Sequence, residues 1–346
     1  MTAPGPLGLA LPIVQAPMAG VSCPALAAAV AEAGGLGSIA LGAGDALAAA
    51  AQIRDLRART NRPFNVNLFV HAPPAPDPAK EAAWIERWRG RFAEFGATPP
   101  ERLAPLYTSF AQDDAMLALL LAERPAVVSL HFGLPDAARI AALKAAGITL
   151  LATVTNPAEA RAAVTAGIDV LVAQGWEAGG HRGQFDPEAE DPRLGTLALV
   201  RLLARLPVPV IAAGGIMDGA GASAVLALGA AAVQLGTAYI ACPESLAAPG
   251  WKRALTEPAA EATVMTRVIS GRPARALRNA IAHAAVPDDA IPAYPVAYDL
   301  GKALATAARA AGNEEYGAWW AGQGAPLART MAAAELTRTI AAEMKL

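Results

Sequence analysis

VLVAQGWEAGGHRG, Val170 to Gly183, joins four small or branched apolar residues to a loop carrying an aromatic ring, a carboxylate, glycines and an imidazole within a few positions. Val170 to Ala173 read as a buried strand, and the polar Gln174 begins where that strand should end. Glycine lets the backbone that follows approach a flat ligand, and His181 sets a titratable ring beside it. Alone, the stretch fits a glycine-rich surface loop with a stray histidine equally well, so its neighbours decide.

The same strand-then-helix rhythm repeats on both sides. Before it, Pro12 to Met18, Leu36 to Leu41, Phe64 to Val70 (FNVNLFV), Ala126 to Phe132 (AVVSLHF) and Ile148 to Val154 (ITLLATV) read as strands one to five; after it, Val208 to Ala213 and Ala231 to Ile240 read as strands seven and eight. Alanine-rich helical segments separate them. Asp45 is placed to cap one such helix, and Gly34, Gly147, Gly167 and Gly229 each sit just before a strand, where a helix stops at a left-handed glycine. Eight alternating βα units with strands apolar on both faces predict an α/β fold, a closed (β/α)8 TIM barrel. A doubly wound open sheet is the alternative. It would need a phosphate loop following an early strand, whereas GGLGS at Gly34 to Ser38 lies between a helix and the next strand, the wrong order.

At 346 residues the chain exceeds a barrel by about 100 residues. We expect a barrel over residues 1–242, a mainly helical cap over 243–324, and a C-terminal helix over 325–346 that returns to the barrel. Residues 72–122 read as an insertion or an enlarged helical region, with Trp84, Trp88, Phe92 and Phe95 spaced as a packing stripe. Net charge −2 and a pI near 6.1, without a basic stripe, argue against nucleic acid as partner. The N-terminus has no cationic leader and is broken by Pro4, Pro6, Pro12 and Pro17, and the longer apolar runs are interrupted, so a cytoplasmic protein with no membrane partner is expected. Cys23 and Cys242 are too few for a disulfide scaffold or a zinc cluster, so no metal is expected.

A barrel collects its functional residues at the C-terminal ends of its strands. Polar and glycine residues cluster there: Ala16, Pro17 and Met18 after strand one, Asn67 in strand three, His131 ending strand four, Gln174 and the His181 loop after strand six, Gly214 and Gly215 after strand seven, and Gln234, Leu235, Gly236 and Thr237 in strand eight. Glycines after strands seven and eight suit a phosphate held on backbone N–H groups, although two tight turns would look the same. A phosphate there, with the amides of Asn67 and Gln174 and the apolar faces of Ala16 and Met18, suggests flavin mononucleotide.

The segments APMAGVS (Ala16 to Ser22), NLF (Asn67 to Phe69), HFGLP (His131 to Pro135), QGWEAGGHRG (Gln174 to Gly183), AAGGI (Ala212 to Ile216), QLGT (Gln234 to Thr237), SGRPAR (Ser270 to Arg275) and WAGQG (Trp320 to Gly324) together resemble the nitronate monooxygenases of the bacterial type. The resemblance implies a barrel holding non-covalent FMN and oxidation of alkyl nitronates by O2 to a carbonyl compound and nitrite, with no need for metal or NAD(P)H. It places Asn67, Gln174, Gly179, Gly215 and the run Gln234 to Thr237 against FMN, and Gln323 near its ring. Gly180 would let the chain pass close to the ring, and His181 matches the active-site histidine. The imidazole can take an acidic α-proton or stabilise an anionic nitronate. His131 is either a second ligand to the nitro group or a packed strand residue.

In the cap, Tyr294, Tyr298 and Lys302 fall at i, i+4 and i+8. If a helix begins as early as Tyr294, one face presents two phenols and a cation suited to a carboxylate-bearing substrate such as propionate 3-nitronate, a known substrate of the family; the spacing alone fits a solvated face as well. Two other functions remain open: an NAD(P)H-dependent flavin reductase of the enoyl-acyl-carrier or quinone type, whose barrel and EAGGH-like loop are similar, and a non-catalytic flavin-binding protein. A monomer or homodimer acting on a small molecule and O2 is expected.

Overall fold

The computed structural model describes residues 7–344; Pro4 and Pro6 lie outside them. The strands in chain order are β1 (Ile13–Gln15), β2 (Gly37–Ala40), β3 (Phe64–Phe69), β4 (Val127–His131), β5 (Thr149–Val154), β6 (Val170–Gln174), the two-residue β7 (Gly180–His181), β8 (Val210–Ala213) and β9 (Ala232–Leu235). Eight of them pair in parallel in the order β1-β9-β8-β6-β5-β4-β3-β2. Val14 bridges Leu36 just ahead of β2, which closes the ring. Both faces are apolar, as a parallel barrel requires: Val14, Val127, Leu151, Val172 and Ile211 fill the interior, while Val66, Leu130, Leu150 and Leu171 meet the surrounding helices.

Those helices are α1 (Pro24–Glu32), α2 (Ala46–Arg59), α3 (Pro78–Glu94), α4 (Asp114–Glu123), α5 (Ala137–Ala145), α6 (Pro157–Thr165), α7 (Thr196–Leu203) and α8 (Gly219–Ala227). Asp45 caps α2 as the sequence predicts, and Asp113, Asp136, Asn156 and Asp218 cap α4, α5, α6 and α8 in the same way, each contributing about 1 kcal/mol. The four helix-stopping glycines have φ between +79° and +106°. Within GGLGS, a Cβ on Gly37 would lie 1.9 Å from the Ala27 carbonyl oxygen, so this segment is the close crossing of α1 over β2 and not a phosphate loop.

Two local expectations are corrected and a third, for residues 72–122, is resolved into its parts. Strand eight stops at Leu235 instead of running to Ile240, because Thr237–Ile240 turns into a short helix, α9. Residues 72–122 hold two helices with different destinations: α4 takes the barrel position between β3 and β4 against α2 and α5, whereas α3 packs on a later helix of the cap. The cap, expected to be mainly helical, begins with only α10 (Pro249–Ala254) and a 3-10 turn at Pro258–Glu261, each opened by a proline.

Beyond α10 come β10 (Thr263–Thr266), β11 (Ala274–Leu277), α11 (Val296–Ala310), a 3-10 turn at Ala325–Leu327, and α12 (Ala333–Glu343). Strand β11 pairs antiparallel with β10 on one side and with β7 on the other. Trp84, Ile85, Trp88 and Phe92 of α3 share a buried cluster with Leu300 and Leu304 of α11, so the aromatic stripe is core. Helix α12 lies against α1 and α8 on the barrel wall. Among the described residues no helix is long and apolar enough to cross a membrane.

Candidate active site

One cavity opens at the C-terminal ends of the barrel strands, under the cap. Ala16, Pro17, Met18, Asn67, His131, Gln174, Gly179, Gly180, His181, Gly214, Gly215, Gln234, Gly236, Thr237, Tyr294 and Tyr298 all line it. Three expected residues do not. Leu235 is buried in the core between strands and helices. Gln323 is exposed, its N–H donating to the Glu177 carbonyl at 2.9 Å, while Gly322 and Gly324 beside it face the cavity. Lys302 stands outside the wall, its Nζ 4.8 Å and 5.2 Å from the ring centres of Tyr107 and Tyr298.

The turn after β8 and the end of β9 form one side. Gly214, Gly215 and Gly236 lie outside strands and helices, and among the described residues their N–H groups donate no hydrogen bond. Gly214 and Gly215 have φ of +116° and +72°, left-handed backbone that favours glycine. Three unpaired donors at a barrel rim can hold an anionic oxygen cluster such as a phosphate. In the strand order, β8 and β9 lie across the ring from β3 and β4, which carry Asn67 and His131.

The histidine loop leaves β6 beside β8 and carries the His181 ring to within 5.6 Å of the Phe132 ring that follows β4, and it is held from several directions. Gln174 commits both ends of its amide to the loop, donating to the His181 carbonyl at 3.0 Å and accepting from Gly183 N–H at 2.8 Å. The side chain thus clamps the loop instead of presenting a free amide. Gly180 and His181 form β7, registered against Arg275 and Ala274 of β11, so the cap supplies a strand that fixes the histidine backbone. Ser270 Oγ lies 2.9 Å from His181 Nε2. Asn67, which lines the cavity, donates to the Ser129 carbonyl and hydroxyl at 3.1 Å and 3.0 Å.

Rings enclose His181: Trp320 at 5.0 Å, Tyr294 at 5.4 Å, Phe132 at 5.6 Å and Tyr298 at 6.0 Å between centres. His181 and His131 are half-buried, and both line this cavity. Burial, followed by the charges of His131 and Arg272, pushes His181 down to about 3. Burial and then Arg272 push His131 to about 3 as well. Both imidazoles are therefore neutral at physiological pH, each with one N–H to donate and one lone pair. A base so weak is poorly matched to pulling a proton from a neutral nitroalkane, but it can hydrogen-bond an anion that arrives already deprotonated.

Glu177 accepts from Thr196 N–H at 3.0 Å and 2.9 Å, capping α7, whose own N-cap residue Gly195 has no side chain to do so. Trp176 lies off the cavity with the guanidiniums of Arg182, Arg193 and Arg275 5.3–5.6 Å from its ring centres. Tyr294 precedes α11, which begins at Val296, so Tyr294, Tyr298 and Lys302 do not share one helix face as their spacing suggested. Ser270, Phe132, Tyr107 and Trp320 escaped sequence reasoning as site residues. Phe132, Ser270 and Trp320 sit inside recognised segments, but nothing local connects them to His181, Ser270 being 89 positions away.

The nitronate monooxygenase family model matches residues 6–343. A nitronate monooxygenase of Paraburkholderia phytofirmans is 57% identical over 98% of this chain and 93% of its own length, and one of Pseudomonas aeruginosa is 55% identical over 98% and 97%. Among solved structures, a nitroalkane oxidase from Streptomyces ansochromogenes superposes with a TM-score of 0.88 at 44% identity, covering 97% of this chain and 96% of that one. Fold, rim and end-to-end similarity agree: the chain belongs to the nitronate monooxygenase family of oxidoreductases.

Proposed function

We propose that this chain holds FMN without a covalent bond and uses O2 to oxidise alkyl nitronates, propionate 3-nitronate foremost, to a carbonyl compound and nitrite. The observation that carries the proposal is the pairing, across one barrel mouth, of three unpaired glycine N–H groups with two neutral imidazoles in an aromatic enclosure. The donors of Gly214, Gly215 and Gly236 suit the FMN phosphate, and the floor between Met18 and Asn67 suits a flat ring. When bound, FMN supplies an acceptor for electrons from the nitronate.

The remaining roles belong to the protein. His181 donates its N–H to a nitro oxygen, with Ser270 fixing the ring orientation. His131 offers a second neutral imidazole on the same wall. The rings of Phe132, Tyr294, Tyr298 and Trp320 exclude water, so hydrogen bonds to the anion act in a low dielectric. The pre-formed nitronate is the substrate because neither imidazole is basic enough to generate it. Lys302, behind Tyr107 and Tyr298, favours a carboxylate on the substrate tail.

The test is nitrite assayed during aerobic addition of propionate 3-nitronate to FMN-loaded protein while the visible spectrum is followed. Nitrite release that is lost in flavin-free protein and in His181→Asn is expected. No nitrite, together with rapid anaerobic bleaching of the flavin by NADH, would instead identify a reductase. Neither response would leave a non-catalytic flavin protein.

A further inference from the structure

Arg272 is a cation buried where the roles above require none. It is 2% exposed, and among the described residues it forms no ion pair. Its guanidinium reaches the carbonyl of Arg182 at 3.5 Å and donates to that of Gln184. Glu159 and Asp186 contribute field from a distance, and Glu159 is already engaged by Thr155 N–H, the Thr155 hydroxyl and Phe185 N–H. Burying an ion without a counter-ion forfeits its hydration with no charge to repay it. The stacking of the guanidinium 4.1 Å over the Phe132 ring offsets part of this.

Phe132 is itself held in an unfavourable conformation. Its φ is +77°, left-handed backbone that strains a bulky L-residue. Its phenyl ring touches both the guanidinium and the imidazole pair, with centres 4.3 Å from His131 and 5.6 Å from His181. Arg272 is thus no more than about 10 Å from the His181 ring, as the 4.1 Å and 5.6 Å separations through Phe132 require.

We propose that Arg272 selects the charge of the substrate: its unpaired guanidinium acts through Phe132 on the end of the cavity between His131 and His181, favouring an anionic nitronate without touching it. The inference rests on the function proposed above. Arg272 itself is faced by Tyr294, Glu159, Asp186 and Arg267, of which Arg267 is paired with Glu188 and Asp288. His181 is faced by His131, Ser270, Tyr294, Tyr298 and Trp320. The same charge that attracts the anion opposes protonation of both histidines, which keeps them as neutral donors. At about 10 Å and an effective dielectric of about 20, one charge is worth about a ten-fold change in binding.

Three forms of the FMN-loaded enzyme test this: wild type, Arg272→Lys, which keeps the charge, and Arg272→Met, which removes it. We expect KM for propionate 3-nitronate to rise about ten-fold in Arg272→Met with a smaller change in kcat, and to change little in Arg272→Lys. Titration of the imidazoles by NMR, which needs no turnover, should show His131 and His181 moving upward in Arg272→Met only. Unchanged KM and unchanged titrations in Arg272→Met overturn the proposal. Equal impairment in both variants also overturns it, showing that the residue merely holds the carbonyls of Arg182 and Gln184. A wild type that gives no nitrite overturns the function, while the titrations still decide whether Arg272 sets the charge of the site.

Discussion

Replacing Glu177 by Ala should separate the scaffold of the site from its chemistry. The carboxylate caps α7 by accepting from Thr196 N–H, and its second interaction, with the Thr196 hydroxyl, spans 3.0 Å. Thr196 is 3% exposed, so water cannot readily replace the lost acceptor. Loss of a helix cap costs about 1–2 kcal/mol, and an unsatisfied buried N–H costs a similar amount for the same group, so the two overlap instead of adding. We expect about 2 kcal/mol, or a fall of about 3 °C in Tm for a chain of this size. Glu177→Gln keeps one acceptor oxygen and should lose less than about half of that.

Damage should also reach the proposed phosphate turn, because the Thr196 hydroxyl lies 2.9 Å from the Gly214 carbonyl and a Cβ on Gly215 would lie 3.1 Å from Glu177 Cβ. Thermal unfolding of apo and FMN-loaded protein measures both effects: the apo shift reports the cap, and the change in FMN-induced stabilisation reports the turn. His181 chemistry should survive, since Gln174 and β11 hold that loop independently. An apo Glu177→Ala protein within 1 °C of wild type, taking ~1 °C as a fraction of the expected shift, would refute the capping argument.

Burial holds His71 at about 4 and His131 and His181 at about 3, against an ordinary 6.5. Because the unfolded chain binds protons that the folded chain refuses, stability from these three is complete above about pH 7 and is lost as pH falls through 6.5 toward 4. Urea midpoints that stay flat between about pH 7 and pH 5 would contradict this. For Lys302→Met, KM for propionate 3-nitronate should rise about five-fold, the field of an exposed lysine being screened, with little change for a nitronate lacking a carboxylate; equal effects on both would remove Lys302 from recognition. Phe92→Ala opens the cluster that joins α3 to α11 and should cost about 3–5 kcal/mol by denaturant unfolding, whereas a loss under about 1 kcal/mol would show that this cluster contributes little to the fold.

The barrel was readable because its determinants are local. A strand buried on both faces is a run of branched residues, and Gly34, Gly147, Gly167 and Gly229 stop helices by backbone conformation alone. The same locality explains what was missed. No strand periodicity marks Gly180 and His181, which become β7 only because β11 lies alongside them. Nor does Phe132 announce a positive φ, which its packing against Arg272 and His131 over-determines. Tyr294 and Tyr298 show how a correct selection can rest on the wrong geometry. Their spacing suggested a shared helix face, yet α11 begins after Tyr294, and that ring reaches the cavity by packing on His71, Tyr107 and Phe132. The neutrality of His181 follows the same logic: a motif can place an imidazole at a rim, but the rings and the buried guanidinium that keep its proton off come from four separate stretches of chain, and their convergence is a property of the folded core alone.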